Sequence, residues 1–294
     1  MDSKIWLRAF GIGLAYYACA WIGVHGTITD EGIAIIWLPN AVLLAAFLLH
    51  PPRQWAPIAL AAVAAEVAAD VPNFPVWAAV AFGLVNLIEA SLAACLIRIS
   101  IEGRFDFNRL RSAALFLLFG PLIASISAGF LGAAIYVFLS DTNSSYLALW
   151  RLWWFGDALG LLLLTPLIMT MWRHRQTGGW TPLSWSRGGE LLTIWLLIFI
   201  FGIMAFPTTM EPSSTFHFTP ILLVPLGVWA ALRFGVLGAT MAVNLVAALA
   251  VVPLVRGRSP YPYATPLEVV WLTQEYLVVF AIISIGLAIL MHET

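Results

Sequence analysis

Runs of about twenty apolar residues follow one another from end to end of this chain, broken only by short polar turns. Nothing constrains the fold more. Lipid offers no partner for backbone N–H and C=O groups, so such runs must close their hydrogen bonds internally, as helices. The runs lie near 5–24, 32–50, 55–71, 76–98, 112–139, 148–172, 190–206, 217–233, 236–254 and 267–291. The third and eighth are short and punctuated by Pro57, Pro220 and Pro225. An all-α fold is expected: a polytopic transmembrane helical bundle of about ten spans, with eight as the lower bound. Composition agrees, since 62% of the 294 residues are hydrophobic and only 10% are charged, against about a quarter charged in soluble domains. Arg8 interrupts the first run and no small-residue cleavage site ends it, so it does not read as a cleavable signal peptide.

Basic residues set the orientation. Lys4, Arg8, Arg53, Arg98, Arg104, Arg109, Arg111, Arg173, Arg175, Arg187 and Arg233 fall on one side, with only Arg256 and Arg258 in loops of the other. The acids Asp30, Glu31, Asp141 and Glu211 lie on that second side. Such an imbalance places both termini in the cytoplasm, given an even number of spans. The polar stretches 102–111 and 173–189 read as short cytoplasmic loops, with Trp180 and Trp185 at the headgroup level. The expected organisation is one integral membrane domain over 1–294, with no soluble output domain inside it. The second and third spans resemble the eighth and ninth in their prolines, basic inner turn and Ala/Val-rich return, which is the pattern of a parallel repeat.

A formal net charge of -1 provides no field for nucleic acid. Cys19 and Cys95 each sit inside an apolar run, which indicates neither a disulfide framework nor a zinc site. There is no phosphate-cradling glycine loop, no HExxH and no G-x-S-x-G elbow. No catalytic residue, metal or cofactor is therefore expected.

Polar groups within the membrane carry the functional signal, because a charge at mid-bilayer costs ~2.5–3.5 kcal/mol on insertion scales. The candidate ligand-binding residues are Asn40, Glu66, Asn86, Glu89, Arg151, Trp154, Asp157 and Glu275. At 1.5 Å per residue, Asn40, Asn86, Asp157 and Glu275 lie roughly 10–15 Å below the outer surface, and Glu89 about 20 Å. Asp70 marks the outer end of the third span, where it can snorkel, with Glu66 one turn deeper. Ionisable groups thus gather in the outer half, as a cavity open to the exterior would require. Glu66 and Asp70 (i,i+4) share a helix face, as do Asn86 and Glu89 (i,i+3). Gly156 and Gly160 flank Asp157 in a GxxxG that admits a second helix closely. Pro39 in WLPNA opens its helix and frees backbone groups one turn earlier. Trp37, Trp150, Trp153 and Trp154 read as interfacial anchors by default, Asn244 as interhelical glue, and His217 as an interfacial histidine.

The segments WLPNAVLLAAFLL from Trp37, RQWAPIALAAVAAE from Arg53, NLIEA at Asn86–Ala90, WRLWWFGDALGLLLLTPL from Trp150 and VWAALRFG at Val228–Gly235 occur in this order. Together they resemble the first class of MASE domains, bacterial membrane-associated sensors. The resemblance covers nearly the whole chain, and W-R-x-x-W-W-x-x-D-A-L-G is its most specific piece. It implies a sensory input module that passes a signal through its last helix to a cytoplasmic diguanylate cyclase, phosphodiesterase or histidine kinase, with homodimerisation expected from such outputs. The implied partners are the bilayer and an unidentified small-molecule or lipid-soluble ligand. A secondary transporter or ion-coupled carrier, with its polar site in the outer half, is the alternative that the intramembrane acids and broken helices leave open.

Overall fold

The structure, a computed structural model, describes residues 3–28, 32–71, 73–139, 144–178, 184–206, 218–258, 261 and 264–293. Asp30, Glu31, Asp141, Trp180, Glu211 and His217 lie outside the described residues. Every apolar run has a helical counterpart. These are α1 (Ser3–Gly26), α2 (Pro39–Leu49), α3 (Trp55–Asp70), α4 (Val76–Ser100), α5 (Leu110–Leu117), α6 (Ser125–Leu139), α7 (Tyr146–Thr177), α8 (Trp185–Ala205), α9 (Val224–Val255) and α10 (Pro266–Glu293). The fifth run is α5 and α6 joined through a π-helical turn, Leu118–Ala124. Among the described residues, seven helical stretches are long and apolar enough to cross a membrane. Side chains such as Leu7, Phe10, Ile99 and Phe138 are exposed, as lipid-facing positions require. The protein is an all-α, multi-pass membrane bundle.

Three boundaries differ from the sequence reading. The second span was expected from residue 32, but its helix starts at Pro39. Proline lacks the N–H that a preceding turn would use and disfavours helical backbone before it. The segment ahead of it instead finds other partners, as Ile35 N–H donates to Thr27 O (2.8 Å) and Trp37 N–H to Gly156 O (2.9 Å). Eleven residues of α2 reach about 17 Å, short of the ~30 Å hydrocarbon core, and the non-helical chain ahead of it covers part of the remainder. The eighth and ninth spans are two arms of α9, bent where Gly235 takes φ +60° and ψ -154°, backbone open to glycine. Finally, the GxxxG of α7 receives the extended segment before Pro39 and not a helix. A Cβ on Gly156 would stand 2.8 Å from Ala34 O, and one on Gly160 1.8 Å from Trp37 O.

The described chain divides into two compact units: Met1–Phe105 with Arg111–Thr165, and Asp106–Leu110 with Pro166–Thr294. In the first, α4 is the central helix, packing on α2, α3, α6 and the π-helical turn, while α1 packs on α2 and α3. Its buried stripe of Ala79, Gly83, Asn86, Ala90, Ala93 and Ile97 follows i,i+3/i,i+4 spacing, and small residues of this kind let helix backbones approach in lipid. Arg98, at the end of α4, donates to the carbonyls of Phe47 (3.0 Å), Leu48 (3.2 Å) and His50 (2.8 Å). It satisfies the orphan acceptors that end α2 and sits favourably at the negative end of its dipole.

In the second unit α9 packs on α8 and α10. Glu190 holds Arg233 through two bonds of 2.6 and 2.7 Å and accepts from Trp229 Nε1 at 2.9 Å. Tyr276 OH donates to Pro220 O (2.8 Å), and Arg173 pairs with Asp106. Asn244 Nδ2 donates back to Thr240 O of its own helix (2.8 Å). The division between the units falls at Pro166, inside α7, where one intrahelical hydrogen bond is missing.

The contact at Gly160 is backbone against backbone, so no side chain can swing away. Gly160→Ala is expected to cost at least the ~1–3 kcal/mol of an overpacked core. Gly286→Ala, with nothing within 4 Å of the added atom, is expected to leave stability unchanged or slightly raised. Thermal melting in lipid nanodiscs checks the pair, and wild-type melting of Gly160→Ala would contradict the close approach.

Candidate functional site

The site forms around one face of α4. Asn86 and Glu89 point from it towards α2, α3 and the start of α6. Asn86 Nδ2 donates to Glu66 Oε1 (2.6 Å) on α3 and to Tyr16 OH (3.2 Å) on α1. Asn40, in the first turn of α2, donates through Nδ2 to Asn86 Oδ1 (3.2 Å) and to Glu89 Oε2. Ser125 Oγ donates to Glu89 Oε1 at 2.6 Å. Asp157 of α7 completes the cluster, its carboxyl lying beside that of Glu89 and the side chain of Trp153. Carboxylates are acceptors only, so a hydrogen bond between Glu89 and Asp157 would require a proton on one of them. Six helices thus meet at Tyr16, Asn40, Glu66, Asn86, Glu89, Ser125 and Asp157, all 2% exposed or less.

Local backbone explains why these groups can reach one another. Pro39 starts α2 deep in the unit, so Asn40 enters at the level of Glu89. The π-helical turn around Pro121 re-aims the chain, and the next residue after it is Ser125. Trp154 Nε1 donates to Pro121 O at 2.9 Å, satisfying a carbonyl that the distorted turn leaves open.

Beside the network lies a cavity of about 60 Å³. Glu66, Asp70, Asn86 and Asp157 contribute its polar wall; Trp37, Phe74, Phe82, Tyr136 and Trp153 contribute rings. Four polar atoms of the cluster and this wall are buried with no hydrogen-bond partner: Trp37 Nε1, Asn40 Oδ1, Glu66 Oε2 and Asp157 Oδ2. Each such group costs ~1–3 kcal/mol, whereas an interhelical hydrogen bond in a membrane averages only ~0.6 kcal/mol. Three of the four are acceptors, and Trp37 Nε1 is a donor.

A family model, MASE1, matches residues 7–294. The chain belongs to the MASE1 family. It is a membrane sensor domain. The chain is also similar to the probable diguanylate cyclase DgcE of Escherichia coli (strain K12), 25% identical over 162 residues, which is 55% of this chain. It spans only 14% of that relative's length. No solved structure matches it.

Within the MASE1 domain the candidate residues separate by position. Asn40, Glu66, Asn86, Glu89 and Asp157 come together in the network. Arg151 places its guanidinium over the Phe155 ring, 5.7 Å from the centroid. Trp154 stacks on Trp150 (5.3 Å) and serves the π-helical turn; neither it nor Arg151 lines the cavity. Glu275 belongs to the second unit and is exposed on α10, where the buried polar groups are Thr273 and Gln274. Asp70, at a helix end from which it could snorkel, is 3% exposed and lines the cavity. Of the tryptophans expected as anchors, Trp37 and Trp153 are wall residues, and Trp150 Nε1 donates to Ile126 O at 3.3 Å.

Tyr16, Ser125, Tyr136 and Trp153 were missed. Hydroxyls and indoles are common in apolar spans, so their type gives no signal. Only the spacing Trp153–Asp157 (i,i+4) points to one of them.

Asn86 is the hub. Asn86→Leu is expected to destabilise the domain by ~3 kcal/mol or more, because it strands groups on α1, α2 and α3 together. Ser125→Ala removes one donor and is expected to cost ~1 kcal/mol. Equal melting temperatures for the two variants would count against a network centred on α4.

Proposed function

We propose that residues 1–294 act as one sensory input module whose polar cluster and cavity receive the signal. In this reading a small-molecule or lipid-soluble ligand enters the cavity from the outer face and changes how α4 and α7 meet. The change then passes through α10 to a cytoplasmic output domain of the cyclase or histidine-kinase kind, in a homodimer. The domain itself performs no chemistry.

The observation that carries this reading is the contact of Glu89 with Asp157, beside buried acceptors that have no partner. A ligand moves a two-state equilibrium only through its differential affinity for the two arrangements. Groups left unsatisfied in one arrangement supply that difference, since an occupant can satisfy them. A tenfold change in output needs ~1.4 kcal/mol, which is within what one relieved acceptor provides. α7 carries Asp157 and continues without interruption of chain through Pro166 into the second unit, so a shift of α7 has a covalent route onward. The name of the Escherichia coli relative supports a diguanylate cyclase as one such output.

The test fuses a diguanylate cyclase domain after Thr294 and substitutes Glu89→Gln and Asp157→Asn singly. Each is expected to shift basal cyclic-di-GMP several-fold at equal expression. Wild-type output from both variants would remove the cluster from signalling. Solute flux into proteoliposomes that is lost in Glu89→Gln would favour the carrier reading instead.

A further inference from the structure

The cavity also constrains what can occupy it. Three carboxyl groups, Glu66, Asp70 and Asp157, share its wall. Two of their oxygens, Glu66 Oε2 and Asp157 Oδ2, are buried on residues 1% exposed and have no partner. No Lys, Arg or His is among the lining residues, so an anionic occupant would meet carboxyls with no compensating charge. Among the described residues no group of three His, Cys, Asp or Glu is placed to hold a metal ion. The remaining wall mixes aliphatic groups and Asn86 with rings, among them Trp37 and the pair Phe82 and Trp153, which tilt against one another at 5.2 Å.

Carboxyl groups sharing a wall with aromatic rings suit an organic cation. An ammonium group donates in three directions to separate acceptors, while its alkyl part and charge are received by the rings. A cavity of about 60 Å³ has space for roughly four to six water-sized centres, which limits the occupant to a few heavy atoms. Trp37 Nε1, a buried donor without a partner, leaves room for one acceptor on the ligand or for a water beside it.

We infer that this cavity is a binding site for a small alkylammonium ion, held by Glu66, Asp70 and Asp157 against Trp37, Phe82 and Trp153. The inference rests on reading the cavity as the signal-receiving site and names the chemistry of its ligand.

The experiment measures melting of the full chain in nanodiscs against ethylammonium chloride, with sodium chloride at equal ionic strength and ethanol as controls. A saturable rise in melting temperature is expected with ethylammonium and with neither control. Asp157→Asn and Asp70→Asn are each expected to move the midpoint at least tenfold higher in concentration. Asp70 stands outside the hydrogen-bonded network, so its variant keeps the test decisive should Asp157→Asn fail to fold. An equal rise with sodium, or a midpoint that neither variant moves, overturns the inference. Binding that leaves a fused cyclase unaltered upholds the ammonium site and counts against the sensor reading alone. Output that depends on Asp157 without any ethylammonium binding does the reverse.

Discussion

Much of the first unit depends on one close approach. The chain before Pro39 runs extended against α7, where two glycines leave its backbone open. Trp37 N–H reaches Gly156 O there, so the non-helical stretch does not carry that donor unpaired into the membrane. Because that stretch is extended, α2 starts only at Pro39, and Asn40 enters the bundle opposite Glu89. A continuous helix from residue 32 would have placed Asn40 elsewhere along its axis. The network around α4 follows from how α2 is broken.

A second distortion works in the same direction. A π-helical turn adds a residue to the helical register and leaves backbone carbonyls poorly satisfied. Trp154 meets this need at Pro121, and Ser125 emerges one residue after the turn with Glu89 Oε1 in reach. Both Pro39 and Pro121 thus cost regular backbone hydrogen bonds and deliver a polar side chain to the same carboxyl. The indoles that looked like interfacial anchors are taken up by this repair and by the cavity wall.

Those distortions mark the limit of what the sequence made legible. Apolar run length identified an all-helical, multi-pass chain, because lipid permits no other solution for backbone polar groups. The expected ten spans compare with seven helical stretches long enough to cross among the described residues. Acids and amides inside those runs identified five of the network's members, because insertion cost makes such residues informative wherever they occur. Run length could not say where a run ceases to be helical. Pro39 announced a break, yet the partner of the freed backbone, Gly156, lies over a hundred positions away. The GxxxG was visible for the same reason that small residues always are, but the spacing does not distinguish a helix from an extended chain as the neighbour. Glu275 shows the converse limit. Depth along a helix is readable from residue count, whereas the face that an isolated acid presents depends on neighbours chosen by the whole bundle, and this one is exposed.

The two halves of the polar cluster have different physical characters, and this bears on how a sensor of this kind could work. On the α4 side, Asn40, Asn86 and Ser125 direct donors at Glu66 and Glu89, so those contacts resist change. On the α7 side, Asp157 meets Glu89 carboxyl to carboxyl and keeps one oxygen without a partner. In the proposed reading, a donor arriving in the cavity could satisfy Glu66 Oε2 on one side and Asp157 Oδ2 on the other. α7 is also the helix whose own hydrogen bonding lapses at Pro166, just past the first unit. In the proposed reading α7, which carries Asp157 and continues past Pro166, is the element that would pass occupancy of the cavity onward.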